Sequence, residues 1–144
     1  MVDLKNKRIL KFNKVKKNVG NILFSCFAPK KYMLFREDLE INLMTNVFEA
    51  FRFDFTNNNN FPPENKKIEI EAIKKGKSYG IIQWIKLEMG NGLKHENHPA
   101  NLTKASSWHK VVYVFDDPIE LSIGQKVVIT AKHNRDAVYF FLEK

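Results

Sequence analysis

The chain has 144 residues, of which 44% are hydrophobic and 12% aromatic, and this predicts a single domain with a sizeable core. Its formal net charge is +8, and the lone cysteine, Cys26, excludes an internal disulfide. No apolar run approaches the roughly 20 residues of a membrane-spanning helix, and the basic start lacks the apolar centre of a signal peptide. We therefore expect a cytoplasmic protein with no membrane partner.

The positive charge is confined to the leading end of the chain. Residues 1–31 contain nine basic residues and one acid, whereas residues 32–144 contain fifteen of each. Such a basic segment can contact phosphates or anionic lipid head groups, or it can be a solvated lead-in to the fold. We predict that residues 1–19 are a basic lead-in or junction segment and that residues 20–144 form one domain. Because the body is neutral, nucleic acid is not the expected partner.

In chain order, the first part of the sequence gives mixed signals. Residues 1–19 fit either a helix or a strand, and residues 22–27 form a short apolar strand candidate. Between residues 32 and 45, apolar residues recur at spacings of three and four, which predicts a short helical element.

From residue 47 onward, the sequence favours strands separated by turn signals. The alternation of apolar and polar residues predicts strands at 47–55, 68–73, 79–89, 109–115, 119–123, 125–132 and 137–142. Asp116-Asp117-Pro118 predicts a turn, as does Gly124. Short strands at this spacing predict a mainly β fold, an antiparallel β-barrel or sandwich.

The sequence contains no recognisable self-sufficient active site. Its six glycines do not form a phosphate cradle, and Cys26 has no catalytic motif around it. His95 and His98 are three residues apart and are either zinc ligands or solvated loop residues. We therefore leave open whether the protein is an enzyme, and we expect no catalytic residue and no bound metal in this chain.

The segment at residues 99–124 is the most informative. A loop ends in Ser106-Ser107-Trp108, directly before the strand that begins at His109. A tryptophan at the start of a strand either presents a flat aromatic wall to a ligand or fills the end of the core. Both interpretations stay open at this point.

The order of these signals resembles the C-terminal β-barrel domain of the protein arginine methyltransferases, over about residues 20–144. The motifs that carry the resemblance are Gly20-Asn21-Ile22-Leu23-Phe24, Phe53-Asp54-Phe55, Gly80 to Leu87 with Trp84, Pro99, Ser106 to Val112, Asp117-Pro118-Ile119 with Gly124, and Asn134-Arg135-Asp136. The stretch from Ser106 resembles the family's Thr-His-Trp-x-Gln motif, whose Trp lines the groove for the substrate arginine.

The resemblance implies a non-catalytic, substrate-side domain. Its substrate-binding residues would be Ser106, Ser107, Trp108 and His109. S-adenosylmethionine would be bound only through a partner cofactor domain, and no cofactor by this chain alone. The partners would be that domain or a protein substrate.

The chain departs from the family's pattern in three ways. Ser107 stands where the family has His, and Lys110 stands where it has Gln. The family's cofactor-binding domain is not in this sequence. The seventeen residues at 29–45 are too short for the family's helical dimerisation arm. We expect either part of a split or truncated methyltransferase-like protein, or a stand-alone β-sandwich module that binds a protein, glycan or nucleic-acid ligand.

Overall fold

The computed structural model describes residues 1–4, 30–34, 41–56, 60–99, 108 and 110–143. More than half of these residues lie in β-strands, and they include almost no helix. The strands are β1 (Val2–Leu4), β2 (Lys30–Leu34), β3 (Ile41–Leu43), β4 (Glu64–Glu71), β5 (Gly76–Gln83), β6 (Lys86–Glu88), β7 (Lys94–Glu96), β8 (Lys110–Leu121), β9 (Lys126–His133) and β10 (Val138–Leu142), with a 3-10 turn at Gly90–Gly92. Across the described part of the chain, no helix has the length and apolar character needed to span a bilayer.

The strands form two packed sheets and a separate hairpin. One sheet has the order β2-β8-β5-β1-β3, the other has the order β10-β9-β4, and β6 pairs only with β7. All of the pairings between these strands are antiparallel. The prediction of a mainly β, sandwich-like fold is confirmed, although the sheets formed by the described residues do not close into a barrel.

The core lies between the two sheets. Its largest fully buried side chains include Tyr113 and Ile81 from the five-stranded sheet and Ile129 from the three-stranded sheet. The edges of the two sheets meet where Thr45 bridges Ala72. The two sheets therefore bury one continuous apolar layer, as a sandwich requires.

Strand β4 shows how the sequence sets its register. Ile68 and Ile70 point toward the core, while Glu69 and Glu71 are exposed on the opposite face. The Glu69 carboxylate lies 2.8 Å from Lys126 Nζ on the neighbouring strand. Because apolar and charged residues alternate along β4, a slip of one residue against β9 would bury the carboxylates. The alternation therefore selects a single register.

The five-stranded sheet carries apolar residues on both of its faces. Ile82, Val112 and Val114 form a second buried cluster on the face away from the main core. Trp84, which follows β5, packs against this cluster. Strand β5 is therefore followed by a partly buried tryptophan, and its packing positions the hairpin that begins at Lys86.

The turn predicted at Asp116-Asp117-Pro118 is instead a bulge inside the long strand β8. Ser78 pairs with Ile119, but the next paired residue on β5, Gly80, faces Val114. Four residues of β8, from Phe115 to Pro118, therefore lie opposite the single residue Tyr79 of β5. A bulge tolerates Pro118, which has no backbone N–H to give to a ladder. The turn predicted at Gly124 is present, with a positive φ of 79°.

The helical element predicted near residues 32–45 is wrong where the structure describes this region. Strand β2 covers residues up to Leu34, and β3 runs from Ile41 to Leu43. Pairing of β2 with β8 and of β3 with β1 outweighs the local helical spacing. The strand predicted at residues 22–27 lies outside the described residues, as does most of the basic segment at 1–19.

The strand predicted at 47–55 is also wrong, because no described strand pairs with this segment. The three alternating phenylalanines of this segment nevertheless lie together. The ring centroid of Phe53 is 6.3 Å from that of Phe51 and 6.5 Å from that of Phe55. Phe51 and Phe53 both meet the buried His133 ring edge-on, at 4.7 and 5.1 Å. Aromatic packing, and not backbone pairing, therefore fixes this segment on the sandwich.

Gly80 is predicted to be essential to the bulge. A Cβ at this position would lie 2.3 Å from the backbone oxygen of Tyr113. The Gly80→Ala variant should lose about 2–3 kcal/mol of unfolding free energy in urea titrations, because backbone atoms of two strands would have to move. A Cβ at Gly90 would meet nothing within 4 Å, so Gly90→Ala is the matched control. Equal stability of the two variants would contradict the close approach of β5 and β8.

Candidate functional site

The candidate site is a small antiparallel hairpin, which we call the Trp–His hairpin. It consists of β6 and β7, the turn Gly90–Gly92, and the flanking residues Trp84, Asn97, His98 and Trp108. Asn91 in the turn has a φ of 62°, a left-handed conformation that asparagine adopts more readily than most residues. The tight turn brings the two ends of the hairpin together beside the five-stranded sheet.

One side of the hairpin is built around Trp84. Its indole Nε1–H donates a hydrogen bond of 3.0 Å to Glu96 Oε1. The His98 ring meets the Trp84 ring edge-on, with centroids 4.9 Å apart and an interplanar angle of 83°. Glu96 is exposed, so this side presents a carboxylate that is oriented by a partly buried indole.

The other side is built around Trp108. The side chain of Trp108 is 53% exposed, and its ring centroid lies 6.0 Å from that of His95, at 44°. Because strand side chains alternate, His95 and Glu96 project to opposite sides of β7. The Nε2 atom of His95 is buried and has no hydrogen-bond partner among the described residues. The hairpin thus has a tryptophan and a histidine on each side.

Asn97 joins the two sides and is only 3% exposed. Its Oδ1 accepts a 2.7 Å hydrogen bond from the Ile85 backbone N–H, and its Nδ2 donates one of 3.2 Å to the Trp108 backbone oxygen. Its own N–H donates to the Ile85 oxygen at 3.2 Å. The buried side-chain amide of Asn97 therefore fixes the backbone of Trp108 relative to the segment that carries Trp84. It supplies a hydrogen-bond partner to the Ile85 N–H and to the Trp108 oxygen.

Of the two acidic residues in the hairpin strands, Glu88 is paired with two lysines. The Glu88 carboxylate lies 3.6 Å from Lys86 Nζ and 3.5 Å from Lys94 Nζ. Lys94, followed by Lys86, holds the pKa of Glu88 below its usual value. Both lysines therefore pair with Glu88, and in the described part of the chain no cation pairs with Glu96.

The geometry separates the two histidines that the sequence offered as metal ligands. His95 packs on Trp108, and His98 packs on Trp84. Within the described ranges, no group of three His, Cys, Asp or Glu side chains is placed to hold a metal ion. The arrangement suits non-covalent binding by aromatic faces and hydrogen-bonding groups.

Of the four residues predicted to bind substrate, the structure describes Trp108. Ser106, Ser107 and His109 lie outside the described residues. Asn97 and Glu96 were not identified from the sequence as part of this site, whereas Trp84 and Trp108 are the two tryptophans by which a stand-alone module would bind its ligand. The sequence does contain one signal for this site, the Gly-Asn-Gly turn. In a hairpin closed by this turn, Lys86 pairs with Glu96, and the same register places Trp84 opposite His98.

No protein-family model and no curated protein matches this chain.

Asn97 and Trp108 are predicted to respond differently to truncation. Asn97→Ala should cost about 1–3 kcal/mol of unfolding free energy, because it removes the hydrogen bonds of a buried side chain to two partly buried backbone groups. Trp108→Ala should cost less than about 1 kcal/mol, since half of the ring is already in water. Thermal and urea unfolding of both variants measures the difference.

An equal or larger loss for Trp108→Ala would show that this ring belongs to the core. Leu93→Ala serves as a control, because Leu93 lies on the same hairpin and is 62% exposed.

Proposed function

We propose that this chain is a binding module of the β-sandwich type, and that the Trp–His hairpin binds arginine side chains of a protein ligand. The observation that carries the proposal is the exposed indole of Trp108, a residue whose backbone oxygen accepts a hydrogen bond from a buried asparagine. A guanidinium stacks well on the face of a tryptophan, at a gain of about 0.5–2 kcal/mol. The proposed role is recognition and requires no catalytic residue.

The second support is the carboxylate of Glu96. Its Oε1 accepts the Trp84 indole N–H, which fixes the carboxylate but leaves further lone pairs for a cationic donor. A carboxylate is the natural partner of the planar, bidentate guanidinium group. A peptide that crosses the hairpin would meet an aromatic face on one side and this carboxylate on the other.

A second candidate is the methyltransferase-like domain suggested by the sequence. In that role, Trp108 with the neighbouring Ser106, Ser107 and His109 would line the substrate side of a cleft. A separate cofactor-binding domain would then supply S-adenosylmethionine and the chemistry. The exposure of Trp108 favours this candidate as well, because a buried ring could not line a cleft. For either candidate the cytoplasm is the proposed location, since an unpaired Cys26 suits a reducing compartment.

Titration with a Gly-Arg-Gly-repeat peptide tests the proposal. The chain has two tryptophans, so two-dimensional ¹H–¹⁵N NMR follows just two indole N–H signals. The Trp108 signal should shift with the arginine peptide and stay unchanged with the same peptide carrying neutral citrulline. Trp108→Ala should weaken binding roughly 2- to 30-fold, the range that corresponds to one cation–π contact.

A matched pair of carboxylate variants controls for general charge. Glu96→Gln should weaken binding, whereas Glu88→Gln should not, because Lys86 and Lys94 already pair with Glu88. Equal binding of the citrulline peptide, or unchanged binding by Trp108→Ala, would contradict the proposal. In calorimetry, S-adenosylmethionine should give no binding heat with this chain alone, and micromolar binding would contradict the view that a separate domain holds the cofactor.

A further inference from the structure

We propose that the outer edge of strand β10 pairs with β10 of a second copy of the chain, so that two three-stranded sheets join into one across a two-fold axis. β10 is the last strand in the order β10-β9-β4. Among the residues that the structure describes, no other strand pairs with its outer edge. This inference concerns assembly and is independent of the Trp–His hairpin.

The hydrogen-bond pattern shows which backbone groups point outward from this edge. The Glu143 N–H donates to the Val128 oxygen at 3.0 Å, so these two residues form a hydrogen-bonded pair with β9. Because such pairs alternate in an antiparallel ladder, the N–H and C=O groups of Val138, Phe140 and Leu142 point away from β9. The Val138 oxygen points in this direction, because it accepts a 2.7 Å hydrogen bond from the Tyr113 hydroxyl on β8. That bond uses one of its two lone pairs, and the second lone pair is the one that would pair with another strand.

The edge lacks the features that usually prevent strand pairing. Strand β10 has the sequence Val-Tyr-Phe-Phe-Leu, without a proline or a charged residue, and its register with β9 is unbroken. The opposite edge strand of the same sheet, β4, begins with Glu64-Asn65-Lys66-Lys67. Charged side chains of this kind block edge pairing, and an unguarded apolar edge invites it. The contrast points to β10 as the pairing edge.

The strand is also complementary to itself. In an antiparallel pair centred on Phe140, Val138 faces Leu142 of the second copy, and the outward-pointing groups of these residues form the hydrogen-bonded pairs. Tyr139 then faces Phe141 of the second copy in a non-hydrogen-bonded pair, where side chains approach most closely. Aromatic cross-strand pairs stabilise a sheet, and no like charges meet in this register. A second copy is therefore the occupant that the sequence of β10 fits.

Sedimentation equilibrium of the full chain over a range of concentrations tests the proposal. The unmodified chain should reach a dimer of twice its 16.9 kDa. The double variant Tyr139→Glu/Phe141→Glu should raise the dimer dissociation constant at least about tenfold, because two carboxylates would face each other in each cross-strand pair. The double variant Tyr139→Lys/Phe141→Glu should restore the dimer, since the same register then places opposite charges together.

The single variant Asn65→Glu, on the exposed face of β4, is the control and should leave the dimer unchanged. Amide exchange of the unmodified chain gives a readout that does not depend on any variant. The Phe140 and Leu142 amides should become more protected as the concentration rises. A chain that stays monomeric, a dimer that survives the two glutamates, or a charge-swapped variant that stays monomeric would each overturn the proposal.

Discussion

The contact on which this structure depends is the hydroxyl of Tyr113. Its ring is fully buried between the sheets, and its oxygen lies 2.7 Å from both the Val138 carbonyl on β10 and Gln83 Oε1 on β5. The hydroxyl thus links an inner strand of the five-stranded sheet to an edge strand of the other sheet. The backbone oxygen of the same residue is the atom that Gly80 approaches. Buried polar groups require such partners, so the position of Tyr113 fixes how the sheets meet.

The hairpin site follows from this framework. Strand β5 runs beside β8, ends at Gln83, and leads directly to Trp84, which packs on the outer cluster around Val112. From this anchor, Asn97 connects the hairpin to Trp108, just before β8 begins. Both ends of the site are therefore attached to the same pair of central strands. Anchoring the backbone of an aromatic residue reduces the freedom that it loses when it binds a ligand, which is the advantage of a preorganised site.

The sequence predicted those features that depend on local alternation and missed those that depend on distant pairing. The period of two in β4 is clear because one face is apolar and the other is charged. The alternation of Phe51, Phe53 and Phe55 is equally clear, but it reflects packing of rings around His133 and not a strand. Trp108 was identified as a candidate because an aromatic residue beside a strand is visible in the sequence. The importance of Asn97 could not be predicted, since its partners are the backbone groups of Ile85 and Trp108.

The most direct test of this account is the titration of the four tyrosines by ¹³Cζ NMR, with Tyr113→Phe to assign the signal of Tyr113. Burial, with a smaller contribution from Tyr139, raises the pKa of Tyr113 to about 12. In the unfolded chain the tyrosine hydroxyl ionises near pH 10. The neutral hydroxyl of Tyr113 therefore contributes roughly 3 kcal/mol to the free energy of unfolding. This contribution is complete below about pH 10 and is lost as the pH rises toward 12. We expect one tyrosine to stay neutral well above pH 10 while the protein is folded. Ionisation of all four tyrosines near pH 10 in the folded protein would contradict it.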